Sequence, residues 1–210
     1  MALVEIIRKL EKTRNRENFF KMIERIYAPN SFQYHLIQKA YTHTKEAFRE
    51  KLREDGERYF EHLRAVVVIM IYIGVRDYRL IISGLLHDII EDTDREEDWV
   101  RKEFGLHISR MVRCVTKPDE NDWEKMIAAY EKQLLEAPKE LRVYLIKLAD
   151  RLHNTITLWA CNSEKQERKI KETINFYLPW AKEHNVLFVE ILEAVNMINA
   201  LLEMPRGQRE

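Results

Sequence analysis

Five glycines and five prolines are all the strong backbone breakers in these 210 residues. Hairpins and tight turns draw on such residues, so this chain can build few of either. Apolar side chains make up 46% of it, ample for a core, and Leu, Ile, Glu, Lys and Arg dominate. Apolar positions recur at helical spacing, as in Leu3, Ile6, Ile7 and Leu10, then Phe19, Phe20, Ile23 and Ile26. The expected fold is all-α, one large helical domain.

The breakers divide the pattern into segments. Ala28-Pro29-Asn30 closes residues 2–27, and Ser31 is placed to cap a helix over about 32–50. A charged turn around Gly56 leads into a buried helix that Gly74 ends. Helical spacing then continues over 78–92, 95–104 and 106–115, with Gly105 between the last two. A polar helix over 121–136 follows the turn Lys117-Pro118-Asp119. Segments 139–160, 164–184 and 186–203 complete the chain. No internal repeat, low-complexity stretch or interdomain linker is present.

Thirty-five basic and 35 acidic residues cancel, so there is no global pull toward nucleic acid or a membrane surface. Cys114 and Cys161 fit no metal or redox spacing. The first residues turn charged too soon for a signal peptide, and the apolar run Ala65–Val75 falls short of the roughly 20 residues that span a bilayer. A cytoplasmic protein is expected. Periodicity does not separate an exposed face from a subunit contact, so a homo-oligomer stays open.

Within this apolar pattern, LLHDIIEDTD (85–94) carries His87, Asp88, Glu91 and Asp92. On a continuous helix, His87 and Glu91 lie one turn apart, as do Asp88 and Asp92, and the four share one broad face. Three carboxylates there repel one another unless a positive object sits among them, and a divalent metal ion is the natural candidate. Seven histidines and nine aspartates in 210 residues give roughly 0.3 adjacent His-Asp pairs by chance, so the pair alone says little. Context adds weight. His62 opens an apolar helix, and Asp150 interrupts the apolar run LIKLADRL, where an unpartnered carboxylate is costly. Two imidazoles and two carboxylates (His62, His87, Asp88 and Asp150) suit manganese, iron or zinc better than calcium, and the lack of thiolates argues against a closed structural zinc site. Such an ion acidifies water and yields a nucleophile near neutral pH.

The strings GERYFEH (56–62), LLHDIIEDTD (85–94), EFG (103–105), VTK (115–117), IKLADRLHN (146–154) and ETINFYLPWA (172–181) are similar, in order and spacing, to those of the RelA/SpoT alarmone enzymes' hydrolase domain, within the wider HD phosphohydrolases. The resemblance covers about 50–182. It implies a single HD-domain helical globule over 50–182, with amphipathic helical extensions at 1–49 and 183–210. It further implies a small, hydrolase-only member that removes the 3′-pyrophosphate of (p)ppGpp with Mn2+. His62, His87, Asp88 and Asp150 fall on the metal ligands. Glu91 and Asp92 fall on the acidic pair that organises the attacking water and proton transfer. Arg53, Asn154 and Tyr177 match residues that contact the nucleotide. Arg58, Lys117, Lys147 and Arg151 are further candidates for phosphate contact. Two departures from the family pattern, Asp55 and the segment Thr155-Ile156-Thr157-Leu158, motivate the alternative of another nucleotide, such as NADPH or a deoxynucleotide. A non-catalytic alarmone-binding or antitoxin-like module is the reading from a different class; retention of both Glu91 and Asp92 counts against it.

Overall fold

The computed structural model describes residues 2–203, and among them there is no strand beyond an isolated antiparallel bridge between Leu52 and Arg58. Thirteen α-helices account for most of the described chain. α1 (Ala2–Lys12), α2 (Arg16–Glu24) and α3 (Phe32–Ala47) precede the central group. Segment 2–27 thus holds two helices, because Asn15 breaks it and caps α2 by accepting from the Asn18 amide. Ser31 caps α3 in the same way, as expected.

The centre consists of α4 (Tyr59–Tyr72), α5 (Tyr78–Leu86), a short α6 (Ile89–Asp92) and α10 (Tyr144–Ile156). Between α6 and α10 run α7 (Glu97–Phe104), α8 (Leu106–Val115) and α9 (Trp123–Glu136). α11 (Ser163–Glu172), α12 (Leu178–His184) and α13 (Phe188–Glu203) follow. α4 packs on both α5 and α10, while α3 and α8 cover α5 and α13 covers α10. Almost every α4 residue from Phe60 to Ile71 is buried, so this helix is the axis of the core. Gly74 ends it with φ +96°, a conformation that a side chain would strain. α1 packs against α4 and α13, bringing the two ends of the described chain together.

Two expectations are corrected. The helix predicted over 78–92 breaks at His87–Asp88, where Asp88 takes φ −101° and ψ 4° and separates α5 from α6. Apolar periodicity runs through this point because Leu85, Leu86 and Ile89 are buried on either side of the break. The segment 164–184 is interrupted by a π-helical turn over Thr173–Tyr177, just before Pro179. The last seven residues assigned to the closing segment lie outside the described residues.

Helix α5 approaches α4 closely at Gly84. A Cβ there would lie 2.8 Å from the Met70 sulfur and 3.1 Å from a Val67 methyl. Gly84→Val overpacks this crossing and is expected to destabilise the protein by about 1–3 kcal/mol. Urea denaturation checks this, and an unchanged midpoint would contradict it.

Candidate metal centre

Three helix segments bring the candidate donors together. α4 supplies His62, the α5–α6 break supplies His87 and Asp88, and α10 supplies Asp150. All four are buried. His62 Nε2 lies 3.2 Å from an Asp150 oxygen and 3.9 Å from Asp88. His87 Nε2 lies 3.2 Å from Asp88 and 3.7 Å from Asp150. Ligand atoms of His62, His87 and Asp88 all fall within 4.8 Å of one another, a spacing that a single cation can bridge.

The helix break has a chemical result. Carbonyls in the last turn of a helix lack intrahelical partners, and Gly84 belongs to the last turn of α5. Its carbonyl accepts from His87 Nδ1 at 2.9 Å, so Nε2 points inward. That Nε2 is fully buried and makes no well-directed hydrogen bond, even with Asp88 Oδ2 3.2 Å away. An orphaned imidazole nitrogen aimed at two buried carboxylates fits a divalent cation, and the mixed nitrogen and oxygen set is of the type that binds one.

The carboxylates are held from behind. Tyr59 donates to Asp88 Oδ2 at 2.7 Å, and Asn154 donates to Asp150 Oδ1 at 2.6 Å. Lys147 Nζ meets Asp150 Oδ2 at 2.6 Å. Burial alone would raise the Asp150 carboxyl, but the Lys147 ammonium and the two imidazoles pull it well below the usual carboxylate range. Burial lowers His62 to about 4. Burial also opposes charge on His87, yet Asp88 and Asp150 outweigh it and push that imidazole up to about 10. Without a cation, a proton on His87 thus supplies the positive charge.

Asp88 and Asp150, with Tyr59, Lys147 and Asn154, line an open cleft of about 570 Å³, and the two imidazoles lie buried outside its lining. Five cations line it, Lys51, Arg53, Lys117, Lys147 and Lys165, together with Glu91 and Asp92. Lys117 grips Glu91 twice, through its ammonium and through its main-chain amide at 2.7 Å. Lys51 pairs with Asp92 at 2.6 Å and sits 4.6 Å above the Tyr59 ring. Arg53 donates to Asn154 Oδ1 and Thr157 Oγ1, both at 3.0 Å. Lys147, Asp150 and Asn154 follow one another at helical spacing, so one stripe of α10 carries a wall of the site.

Six of the nine expected site residues therefore line the cleft, and His62 and His87 reach Asp150 and Asp88 from behind it. Tyr177 lies apart from them. It is 2% exposed, is absent from the cleft lining, and carries the Arg151 guanidinium 3.9 Å above its ring. It ends the π turn and is buried there. Arg151 is itself buried against Glu172, while Arg58 is paired with Glu61 outside the cleft. Reading the sequence did not single out Tyr59, Lys51, Lys165 or His153. Tyr59, one helical turn before His62, and His153, one turn beyond Asp150, each had a local signal.

A family model for the HD domain matches residues 40–187. The chain belongs to the HD domain family. Among curated relatives of this HD domain, a guanosine-3′,5′-bis(diphosphate) 3′-pyrophosphohydrolase of Aquifex aeolicus is 38% identical over 146 residues, 69% of this chain and 21% of the relative. A GTP pyrophosphokinase of Streptomyces antibioticus is 38% identical over 147 residues, 69% of this chain and 17% of the relative. The bifunctional (p)ppGpp synthase/hydrolase SpoT of Escherichia coli K12 is 33% identical over 149 residues, 69% and 21% respectively. The chain thus spans about a fifth of the length of the curated relatives it matches. A solved structure of a metazoan SpoT ortholog, described as hydrolysing ppGpp, superposes with TM-score 0.59 at 23% identity, over 76% of this chain and 85% of that one. This structural likeness shows the shared all-α fold.

A cation entering this centre must displace the His87 proton, because Nδ1–H is committed to Gly84 and only Nε2 can serve as donor. With His87 raised to about 10, roughly one proton should leave per ion bound at pH 7, and affinity should climb as pH rises toward 10. Titration calorimetry in buffers of different ionisation heat reads this proton; identical heats in all buffers would contradict it. In the metal-free protein the charged His87 contributes stability fully below its ordinary value of 6.5, and that contribution is lost as pH rises through about 10.

Proposed function

We propose that this HD domain is a pyrophosphohydrolase that removes the 3′-pyrophosphate of guanosine 3′,5′-bis(diphosphate) or its pentaphosphate counterpart. The products are GDP or GTP and pyrophosphate. The observation that carries the reading is the convergence of two buried imidazoles on Asp88 and Asp150, the two carboxylates that also line a cleft rich in lysines and an arginine. A polyphosphate substrate is what such a cleft suits, and relatives sharing 33–38% identity are named for guanosine 3′-pyrophosphate chemistry.

In this reading His62, His87, Asp88 and Asp150 hold the ion, with Mn2+ the expected one. A divalent cation there supplies Lewis-acid charge for the phosphoryl group and acidifies water. Glu91 and Asp92 stand beside the donors, position the attacking water and take its proton. Lys117 and Lys51 balance their charge until the substrate arrives; the incoming phosphates then share those ammoniums. Arg53 and Asn154, joined by a hydrogen bond, bound the nucleoside side of the cleft. Lys147 keeps Asp150 ionised. A cytoplasmic setting, where thiols such as Cys114 and Cys161 stay reduced, agrees with this role.

The alternatives have less support. Of the departures that motivate a different nucleotide, Asp55 and Ile156 line a separate hollow and not the cleft, while Thr157 reaches the cleft through Arg53. Glu91 and Asp92 both line the cleft, which suits turnover better than simple binding.

Incubation of the Mn2+-loaded protein with labelled ppGpp should release pyrophosphate and GDP. Asp88→Ala should abolish this, and Glu91→Gln should lower kcat by about 10²–10⁴ while leaving Mn2+ binding intact. No pyrophosphate release, full activity in Asp88→Ala, or a better catalytic efficiency on NADPH or a deoxynucleotide would sink the reading. Arg53→Ala should raise KM for the nucleotide about 10-fold or more, the loss of one charge-assisted contact, with Mn2+ affinity unchanged. Steady-state kinetics at saturating metal separates the two effects.

A further inference from the structure

His62 and His87 present the same atom, Nε2, to the centre, but they are held from behind by different chemistry. His87 Nδ1 faces the Gly84 carbonyl, which only accepts, so the neutral ring has a single tautomer. His62 Nδ1 faces another imidazole nitrogen, Nδ1 of His153, at 2.9 Å. That gap holds one hydrogen, and either ring can own it. If His153 owns it, His62 carries its own hydrogen on Nε2, toward the Asp150 oxygen 3.2 Å away. If His62 owns it, Nε2 turns a lone pair to the centre. Only the second arrangement can ligate a cation.

We propose that His153 is a positioning residue for the metal centre. By accepting from His62 Nδ1, it holds His62 in the tautomer whose Nε2 faces the ion. By reversing that bond, it keeps both rings satisfied before an ion arrives. The inference rests on the reading of His62 as a metal ligand.

Placement supports this role. His153 lies one turn beyond Asp150 on α10, so the helix that supplies one candidate ligand also braces another. The two rings pack with centroids 5.0 Å apart, and both are buried. His153 is not part of the cleft lining. It borders instead the hollow of about 290 Å³ behind the centre, among Leu10, Ile156 and Trp159, so it acts through His62 and not on a substrate. Partners of this kind fix ring orientation and raise ligand basicity, and losing one typically costs about 10- to 100-fold in metal affinity.

Two substitutions separate hydrogen bonding from packing. His153→Phe keeps a ring but cannot accept; His153→Asn offers an amide oxygen near the Nδ1 position. Mn2+ titration followed by electron paramagnetic resonance should show Kd weakened about 10- to 100-fold in His153→Phe and within about threefold of the unaltered protein in His153→Asn. Unchanged Kd in His153→Phe would overturn the proposal. So would equal losses in both variants with intact circular dichroism, since packing would then be the cause. Ring-nitrogen NMR of the unaltered, Zn2+-loaded protein needs no variant to fold. It should show His62 protonated at Nδ1, and protonation at Nε2 would refute the proposal. Failure of the unaltered protein to bind Mn2+ would refute the metal centre itself, an outcome distinct from these.

Discussion

Two carboxylates buried inside a helical core set the terms for everything around them. Asp88 and Asp150 sit among the most tightly packed helices, and neither can stay ionised there without positive charge. Lys147 and the protonated His87 supply it in the metal-free protein, while Tyr59 and Asn154 satisfy the remaining lone pairs. A divalent ion replaces the proton with a denser charge at the same point. The close crossing of α4 and α5, the break before α6 and the polar stripe on α10 all serve to bring those groups to one spot.

The cleft above is built on a different principle. Its floor comes from helices that pack on one another, whereas Lys51 and Lys117 lie in connecting segments and Arg53 and Lys165 at the rim. Each catalytic candidate carboxylate has a lysine of its own, so the cleft combines opposite charges already paired. Under the proposed function, a phosphate chain entering it would exchange one set of ion pairs for another and would not have to neutralise an open field. Selectivity would then rest on geometry, on which oxygens reach Lys51, Lys117 and Arg53 together, more than on net attraction.

Much of this was legible in the chain, and the rest was hidden for identifiable reasons. The helical character follows from breakers too scarce for turns, and the donor set from charged residues that interrupt apolar runs at His62, His87–Asp88 and Asp150. The break at His87–Asp88 was hidden because buried leucines and isoleucines continue the helical rhythm across it. The π turn at Thr173–Tyr177 was hidden because no residue in ETINFYLPWA announces an extra one. His153 reaches His62 across 91 positions and Lys117 reaches Glu91 across 26, distances over which spacing carries no signal.

The Gly84 carbonyl has a consequence for how this site can change over generations. It is a main-chain atom, so no single replacement of a side chain deletes the acceptor that orients His87. His62 has no such protection, because its brace is a side chain that one codon can alter. The two imidazoles of the centre are therefore unequally robust. Under the proposed metal reading, loss of a ligand's brace by a single side-chain replacement is open on the His62 side and not on the His87 side.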